Sequence, residues 1–274
     1  MFVIKASGER EKFDPEKIRR TCLRAGATKE LADAVVKKVS EEVYDGIPTR
    51  KLLEMVLKYL DVEMPHIAAR YDLKGAIMRL GPAGHEFEDL VARIFDELGY
   101  KTTVRTTIKG ACVDHEIDII ARKEGKCFMV ECKYHNAPGI YTGIKEVLYT
   151  YARFLDLKEG KKAGKCMDFT QPWLVCNTKF SPDSIQYASC KNMRLLGWKY
   201  PPKKGLEAII QEKKLFPVTV LRSVDRASQG RLIDNGYIFC KDLIRFKADE
   251  IEARTRLSRK KLNEMIHDAE MVIG

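Results

Sequence analysis

No Cys-X-X-Cys pair occurs among the eight cysteines, which stand at positions 22, 112, 127, 132, 166, 176, 190 and 240. That spacing excludes a zinc ribbon and a dithiol redox site. Most of the cysteines sit in apolar runs such as Leu174-Val175-Cys176, which suits reduced, buried thiols better than a disulfide framework. No stretch approaches the roughly 20 apolar residues that a membrane span requires, so no membrane partner is expected. No charged-then-apolar leader opens the sequence, and the expected location is the cytoplasm. The pattern GxxxxGK[ST] is missing too, which excludes nucleotide hydrolysis by a P-loop.

What is present is a basic chain with enough apolar content to build cores. Lysine and arginine outnumber acids 49 to 39, giving a net charge of +10 and a pI near 9.1. That balance favours a polyanionic partner. A length of 274 residues suggests two or three domains.

The most informative stretch is Glu116-Ile117-Asp118, a short turn, then Val130-Glu131-Cys132-Lys133. Apolar runs flank Arg122 to Lys126, and Glu124-Gly125 suits the tip of a β-hairpin. With that tip, residue 123 pairs with 126 and Asp118 falls opposite Glu131. Glu131 and Lys133 then share a face, while Val130, Cys132 and Tyr134 take the other. Opposed residues have Cβ atoms about 5 Å apart, and like charges there repel. A cation between the carboxylates relieves them, and a lysine two residues on completes a metal-plus-ammonium constellation. A longer or shifted hairpin would put Asp114 in place of Asp118. His115 and His135 flank the site, and Lys145 and Tyr149 lie one turn apart on the helix that follows. Each is read as substrate contact or as plain surface. A cross-strand salt bridge to Lys133 is the bland reading of the acids.

Residues 1–80 predict a compact unit of a β-hairpin and four helices. Met1 to Lys5 and Arg10 to Phe13 are short strands. Asp14-Pro15 marks a helix start. A second helix follows from Lys29 to Tyr44, Thr49 caps a third, and a fourth runs from Pro65 to Gly81-Pro82. This unit resembles the ATP-cone, a nucleotide-binding regulatory domain. The resemblance rests on Val3-Ile4-Lys5-Ala6-Ser7-Gly8, on Glu11 to Ile18, on Tyr44 to Thr49 and on Ile67 to Tyr71. It implies that Val3, Lys5, Glu11, Asp14, Lys17 and Thr49 contact ATP or dATP. Lys5 and Lys17 would meet phosphates, and Glu11 or Asp14 the base or ribose. The chain departs from the family pattern at Ala6, where a second basic residue is usual, and at Leu53, where some cones carry histidine.

After Gly81-Pro82-Ala83-Gly84, an amphipathic helix over 85–100 carries Phe87, Leu90, Val91, Ile94, Phe95 and Leu98 on one stripe. Then come a strand over 102–107 and the hairpin. A helix with Ile144, Val147, Leu148, Tyr151, Phe154 and Leu155 at helical spacing follows. Trp173 to Asn177 is a buried strand, Ser181-Pro182 begins another helix, and Leu195-Leu196 opens a last strand. The order αβββαβα over residues 84–200 is a mixed α/β domain. With Glu86-Phe87-Glu88-Asp89-Leu90-Val91, Glu116-Ile117-Asp118, Val130-Glu131-Cys132-Lys133 and Asn177 to Ser181, it resembles the restriction-endonuclease-like, PD-(D/E)xK superfamily, nearest its Mrr-like branch of type IV restriction enzymes. The resemblance implies a catalytic set of Glu88, Asp118, Glu131 and Lys133. Asp118, Glu131 and Glu88 would be ligands of Mg²⁺ or Mn²⁺, DNA the substrate and a homodimer the assembly.

Residues 203–274 are Lys/Arg-rich and helical, with a strand signal at Pro217 to Leu221. They weakly resemble a degenerate helix-hairpin-helix DNA-binding module, and a solvated basic face explains them equally well. The chain is thus expected to join an α+β helical cone, an α/β nuclease-like domain with a mixed sheet, and a small helical C-terminal region. The expected activity is that of a Mg²⁺-dependent DNA endonuclease sensing ATP or dATP. The alternative is a nucleotide-responsive DNA-binding regulator without catalysis.

Overall fold

The computed structural model describes residues 1–81 and 84–274. Two compact units divide it: Met1–Ile77 together with Phe216–Gly274, and Met78–Leu215.

The first unit begins with β1 (Phe2–Ile4) and β2 (Arg10–Lys12), then α1 (Pro15–Arg24), α2 (Lys29–Glu42), β3 (Ile47–Pro48), α3 (Thr49–Glu63), α4 (Pro65–Tyr71) and α5 (Leu73–Met78). β1 pairs antiparallel with β2 and parallel with β3. Asp14 caps α1 by accepting from the Glu16 amide at 3.0 Å. Thr49, expected as the cap of α3, is instead its first residue. Pro48 holds the cap position in extended geometry, and no side chain caps it, because Pro48 is drawn into the parallel pairing with Ile4. The single helix expected from Pro65 to Gly81-Pro82 is two, broken at Asp72 and ending at Met78, and Pro82 lies outside the described residues.

The second unit holds α6 (His85–Glu97), β4 (Lys101–Lys109), β5 (Asp114–Lys123), β6 (Lys126–Lys133), β7 (Tyr141–Thr142), α7 (Ile144–Lys162), β8 (Gln171–Cys176), β9 (Lys179–Phe180), α8 (Pro182–Cys190), β10 (Arg194–Leu196) and α9 (Leu206–Glu212). One mixed sheet runs in the order β10-β8-β6-β5-β4. β4, β5 and β6 are antiparallel, whereas β6, β8 and β10 are parallel. The parallel pairs need crossovers, which α7 and α8 supply. Phe87, Leu90, Val91, Ile94 and Phe95 of α6 are wholly buried, each contributing about 1.5–3 kcal/mol of apolar burial. Ile117, Ile120, Met129, Phe154, Leu157 and Phe169 form a second cluster centred on α7.

The chain returns to the first unit with α10 (Arg226–Asp234), α11 (Cys240–Arg245), α12 (Ala248–Thr255) and α13 (Arg259–Ile273). These helices fold with the N-terminal segment. The Thr219 hydroxyl donates to the Ala76 carbonyl at 2.9 Å, and Arg70 Nε to the Val272 carbonyl at 2.7 Å. Pro217 to Leu221, expected as a strand, is a 3₁₀ turn over Val218–Val220. Among the described residues its only ladder contact is an isolated bridge from Pro217 to Phe239, with no neighbouring strand to extend the pairing.

Candidate active site

The hairpin turns at Glu124-Gly125, with Lys123 paired to Lys126. Both turn residues have positive φ, 51° and 72°, the geometry of the two-residue turn that matches strand twist. The ladder runs to Ile119 opposite Val130, and one further step in that register sets Asp118 across from Glu131. Asp114 pairs with Lys109 at the far end of β5, remote from Glu131 in register.

Asp118 marks a break in the sheet. The β4–β5 ladder lacks the Arg105–Asp118 step, although pairs on either side keep one register. Arg105 has φ +46°, uncommon for a residue with a Cβ and concentrated at functional sites. Ile117 and Ile120, three positions apart, both join the cluster under α7, so the two-residue alternation slips between them. Irregularities of this kind re-aim a side chain beside an active site. Here the slip turns Asp118 so that its carboxylate accepts from the Cys132 amide at 2.7 Å.

Glu131 leaves the sheet toward α7, where Arg153 Nη1 donates to its carboxylate and Arg153 Nη2 to the Glu116 carbonyl. Arg153 is 8% exposed. Burial pushes the Asp118 carboxyl up to about 6, opposed by the Cys132 amide and assisted by Glu88. Burial and then Asp118 raise Glu131, with Arg153 pulling the other way. Two largely buried carboxylates thus lie close together; Arg153 hydrogen-bonds only the second, and its charge eases both. Lys133 is half-exposed, 4.0 Å from Glu146 of α7. Glu88 is largely buried and paired with Arg105 at 3.3 Å, close to His85 at 3.5 Å. Arg105 also holds Asp89 at 2.8 Å.

Among the described residues no group of three or more His, Cys, Asp or Glu is arranged as a metal cage. Mg²⁺ is a hard cation that takes one or two carboxylates and keeps several waters. Asp118, Glu131 and the Cys132 carbonyl therefore fit it, and the mutual repulsion of the two acids is what a cation would relieve. For Glu88 to join them, it has to leave Arg105.

Both flanking histidines have structural partners. His115 Nε2 lies 2.7 Å from Asp156, which also accepts from the Cys112 and Val113 amides. His135 contacts the Thr142 hydroxyl at 3.0 Å; its backbone N–H donates to Asn177 Oδ1, and Asn177 Nδ2 donates to its carbonyl. Burial and Lys133 lower the His135 pKa. Arg153 was not foreseen from sequence, though an arginine between Thr150 and Phe154 on the inward stripe of a helix is a visible signal. Tyr149 stacks on it, 5.3 Å from ring centroid to guanidinium.

In the first unit, Lys5 lies 3.1 Å from Glu11 and 3.0 Å from Glu9, and Lys17 also pairs with Glu11. Val3 pairs with Glu11 across the hairpin and is buried. Pro48 pairs with Ile4, which brings Thr49 to the same end of the small sheet. Asp14 opens α1 and lies 3.6 Å from Arg20. Lys5, Glu11 and Lys17 thus form one cluster, in which two ammonium groups share a carboxylate.

The ATP cone domain family matches residues 1–73. The restriction endonuclease family that bears the Mrr name matches residues 82–199, and the family described as AF1548-like, C-terminal, matches 216–273. A protein of Archaeoglobus fulgidus described as uncharacterized is 42% identical over 184 residues, which is 67% of this chain and all of the relative. The crystal structure of a protein of unknown function, AF1548, superposes with a TM-score of 0.60 at 42% identity, covering 69% of this chain and 97% of that one.

Proposed function

The chain belongs to the AF1548-like family and joins an ATP-cone to a restriction-endonuclease-like domain, and on that premise we propose that it is a divalent-metal-dependent DNA endonuclease governed by a bound adenine nucleotide. The observation that carries the reading is the pair of buried carboxylates, Asp118 and Glu131, set across one hairpin with Lys133 two residues on.

Each group has a task in phosphodiester hydrolysis. Asp118, fixed by the Cys132 amide, and Glu131, fixed by Arg153, hold hard oxygen donors in place without reorganisation. Mg²⁺ or Mn²⁺ bound there supplies Lewis acidity and a more acidic water. Lys133, exposed beside Glu146, orients the attacking water and meets the scissile phosphate. Arg105 reaches Glu88 and Asp89 from the broken strand. It is placed to exchange those acids for a phosphate oxygen when DNA arrives. In the cone, Lys5 and Lys17 release Glu11 to a triphosphate, which offers more negative charge than one carboxylate. ATP and dATP are the proposed effectors.

The second reading, a DNA-binding regulator without catalysis, is favoured by one feature. Arg153 already pairs with Glu131, and Arg105 with Glu88, so two of the acids are neutralised without a metal. A plasmid-nicking assay separates the two. Cutting is expected with Mg²⁺, is expected to vanish with EDTA, and is expected to fall by about 10³-fold or more in Asp118→Ala and Lys133→Ala, the loss of an electrostatic catalytic group. Cutting that survives both substitutions removes the assignment. Retained DNA binding without cutting under any metal selects the regulator.

A further inference from the structure

Six large hydrophobic side chains of the second unit are exposed among its described residues: Val113, Ile140, Tyr141, Leu148, Tyr149 and Leu155. Three lie on α7. Ile140 and Tyr141 immediately precede its start at Ile144. The Val113 amide is 3.4 Å from Asp156, on the C-terminal half of the helix. Half of the exposed large apolar side chains of this unit therefore lie on one helix. An apolar patch rimmed by polar residues marks an interaction surface.

The outward stripe of α7 reads Lys145, Leu148, Tyr149, Ala152, Leu155 and Glu159, all exposed. Apart from Leu148, whose counterpart position is Asp156, the stripe is symmetric about Ala152. Lys145 stands seven residues before that alanine and Glu159 seven after, each about 10 Å along the axis at a 1.5 Å rise. A second α7 laid antiparallel across the first, with the two-fold axis at Ala152, sets Lys145 against the partner's Glu159. It also sets Tyr149 against the partner's Leu155, with Leu148 one position on from that pair. The small Ala152 side chains at the crossing let the helices approach closely. An isologous interface demands this kind of self-complementarity, in which residue i meets j and j meets i.

We propose that the outward face of α7 is the homodimer interface, formed by antiparallel packing of two α7 helices about Ala152. Charge and composition argue against DNA as the occupant. The stripe carries one lysine and one glutamate around an apolar centre, whereas a phosphate-binding face is basic. The inward face of the same helix carries Arg153 to Glu131 and Glu146 to Lys133, so each copy of the pair would support one carboxylate site. Two sites for two strands are what the nuclease reading calls for. To that extent the inference rests on that reading, but the interface itself stands on the stripe.

The test is sedimentation equilibrium on the full chain, with folding of each variant checked by circular dichroism. The wild type is expected to dimerise. Lys145→Glu alone and Glu159→Lys alone each place like charges together twice, and each is expected to weaken the dimer by about tenfold or more, 1.4 kcal/mol being tenfold. The double variant Lys145→Glu with Glu159→Lys restores opposite charges and is expected to return dimerisation to near wild type. Leu148→Glu with Leu155→Glu is expected to give a folded monomer. A wild type that is monomeric at its highest soluble concentration overturns the proposal. So does a dimer indifferent to the single reversals, or a double variant no better than either. Asp118→Ala is expected to leave the dimer intact. A chain that dimerises through this face yet never cuts DNA refutes the nuclease reading and leaves the interface standing.

Discussion

Asp118 carries a cost that is measurable without any substrate. Its folded pKa is about 6, against an ordinary value of 3.8, so the native state binds this proton more tightly than the unfolded chain does. Stability from this group is therefore full below about pH 4 and is lost as the pH rises through 6. Asp118→Asn keeps an oxygen for the Cys132 amide and removes the charge. In EDTA, the variant is expected to be more stable than wild type at pH 8, where burial and the neighbouring Glu88 penalise the wild-type carboxylate. The difference should close by pH 4. Urea denaturation at the two pH values checks this, and a variant no more stable at pH 8 means that Asp118 is not strained by its surroundings. The residue pattern D-(x)₁₂-E-x-K made Asp118, Glu131 and Lys133 readable, because turn preference and strand alternation act within a few residues. For Arg153 the sequence shows at most a charge on an inward stripe, not its partner. The guanidinium reaches Glu131 from 22 positions away, and no local preference encodes that contact.

At the scale of elements, α7 ties the site together. Its inward side supplies Glu146 and Arg153, while Asp156 gathers the amides of Cys112 and Val113 with His115. Gly160 lets the end of this helix come down on the loop after β4. A Cβ there would lie 2.8 Å from the Gly110 carbonyl carbon, closer than backbone can tolerate. Gly160→Ala would gain up to about 1 kcal/mol of helix propensity but must push that loop away, at a cost of about 1–3 kcal/mol. The expected outcome is net destabilisation, read as a lower urea midpoint. A higher midpoint would mean that the loop yields freely. Helical spacing in the sequence grouped Leu148 and Leu155 with Val147 and Phe154 on one apolar stripe, yet Leu148 and Leu155 are both 43% exposed. Helical spacing gives the width of an apolar stripe but not how much of it the rest of its own chain covers. That surplus is the surface assigned above to a second copy.

For the whole molecule, the C-terminal helices fold with the N-terminal cone segment rather than apart from it, through Arg70 with Val272 and Thr219 with Ala76. Anything that stabilises the cone is therefore expected to stabilise those helices as well. Saturating ATP or dATP at about 100 times its Kd contributes about 2.7 kcal/mol, a rise of several degrees in Tm. Lys17→Ala is expected to abolish most of that rise, because it removes one of the two ammonium groups beside Glu11. Scanning calorimetry with and without nucleotide is the measurement. An unchanged Tm with both nucleotides would count against a working site in the cone.

The sequence by itself determined the Glu124-Gly125 turn and the hairpin register that follows from it. It also determined the amphipathic helix before the hairpin. These depend on turn chemistry and on the periods of helix and strand, which operate over short spans, whereas the joining of a cone to a nuclease-like domain came from the resemblance of whole motifs to known families. Only the tertiary structure decided that Arg153 neutralises Glu131, that the strand breaks at Arg105 beside Asp118, that residues 216–274 complete the first unit, and that α7 keeps an apolar face in water. Each of these is a contact, or a missing contact, between segments far apart in the chain. Its outcome depends on which surfaces packing leaves for one another.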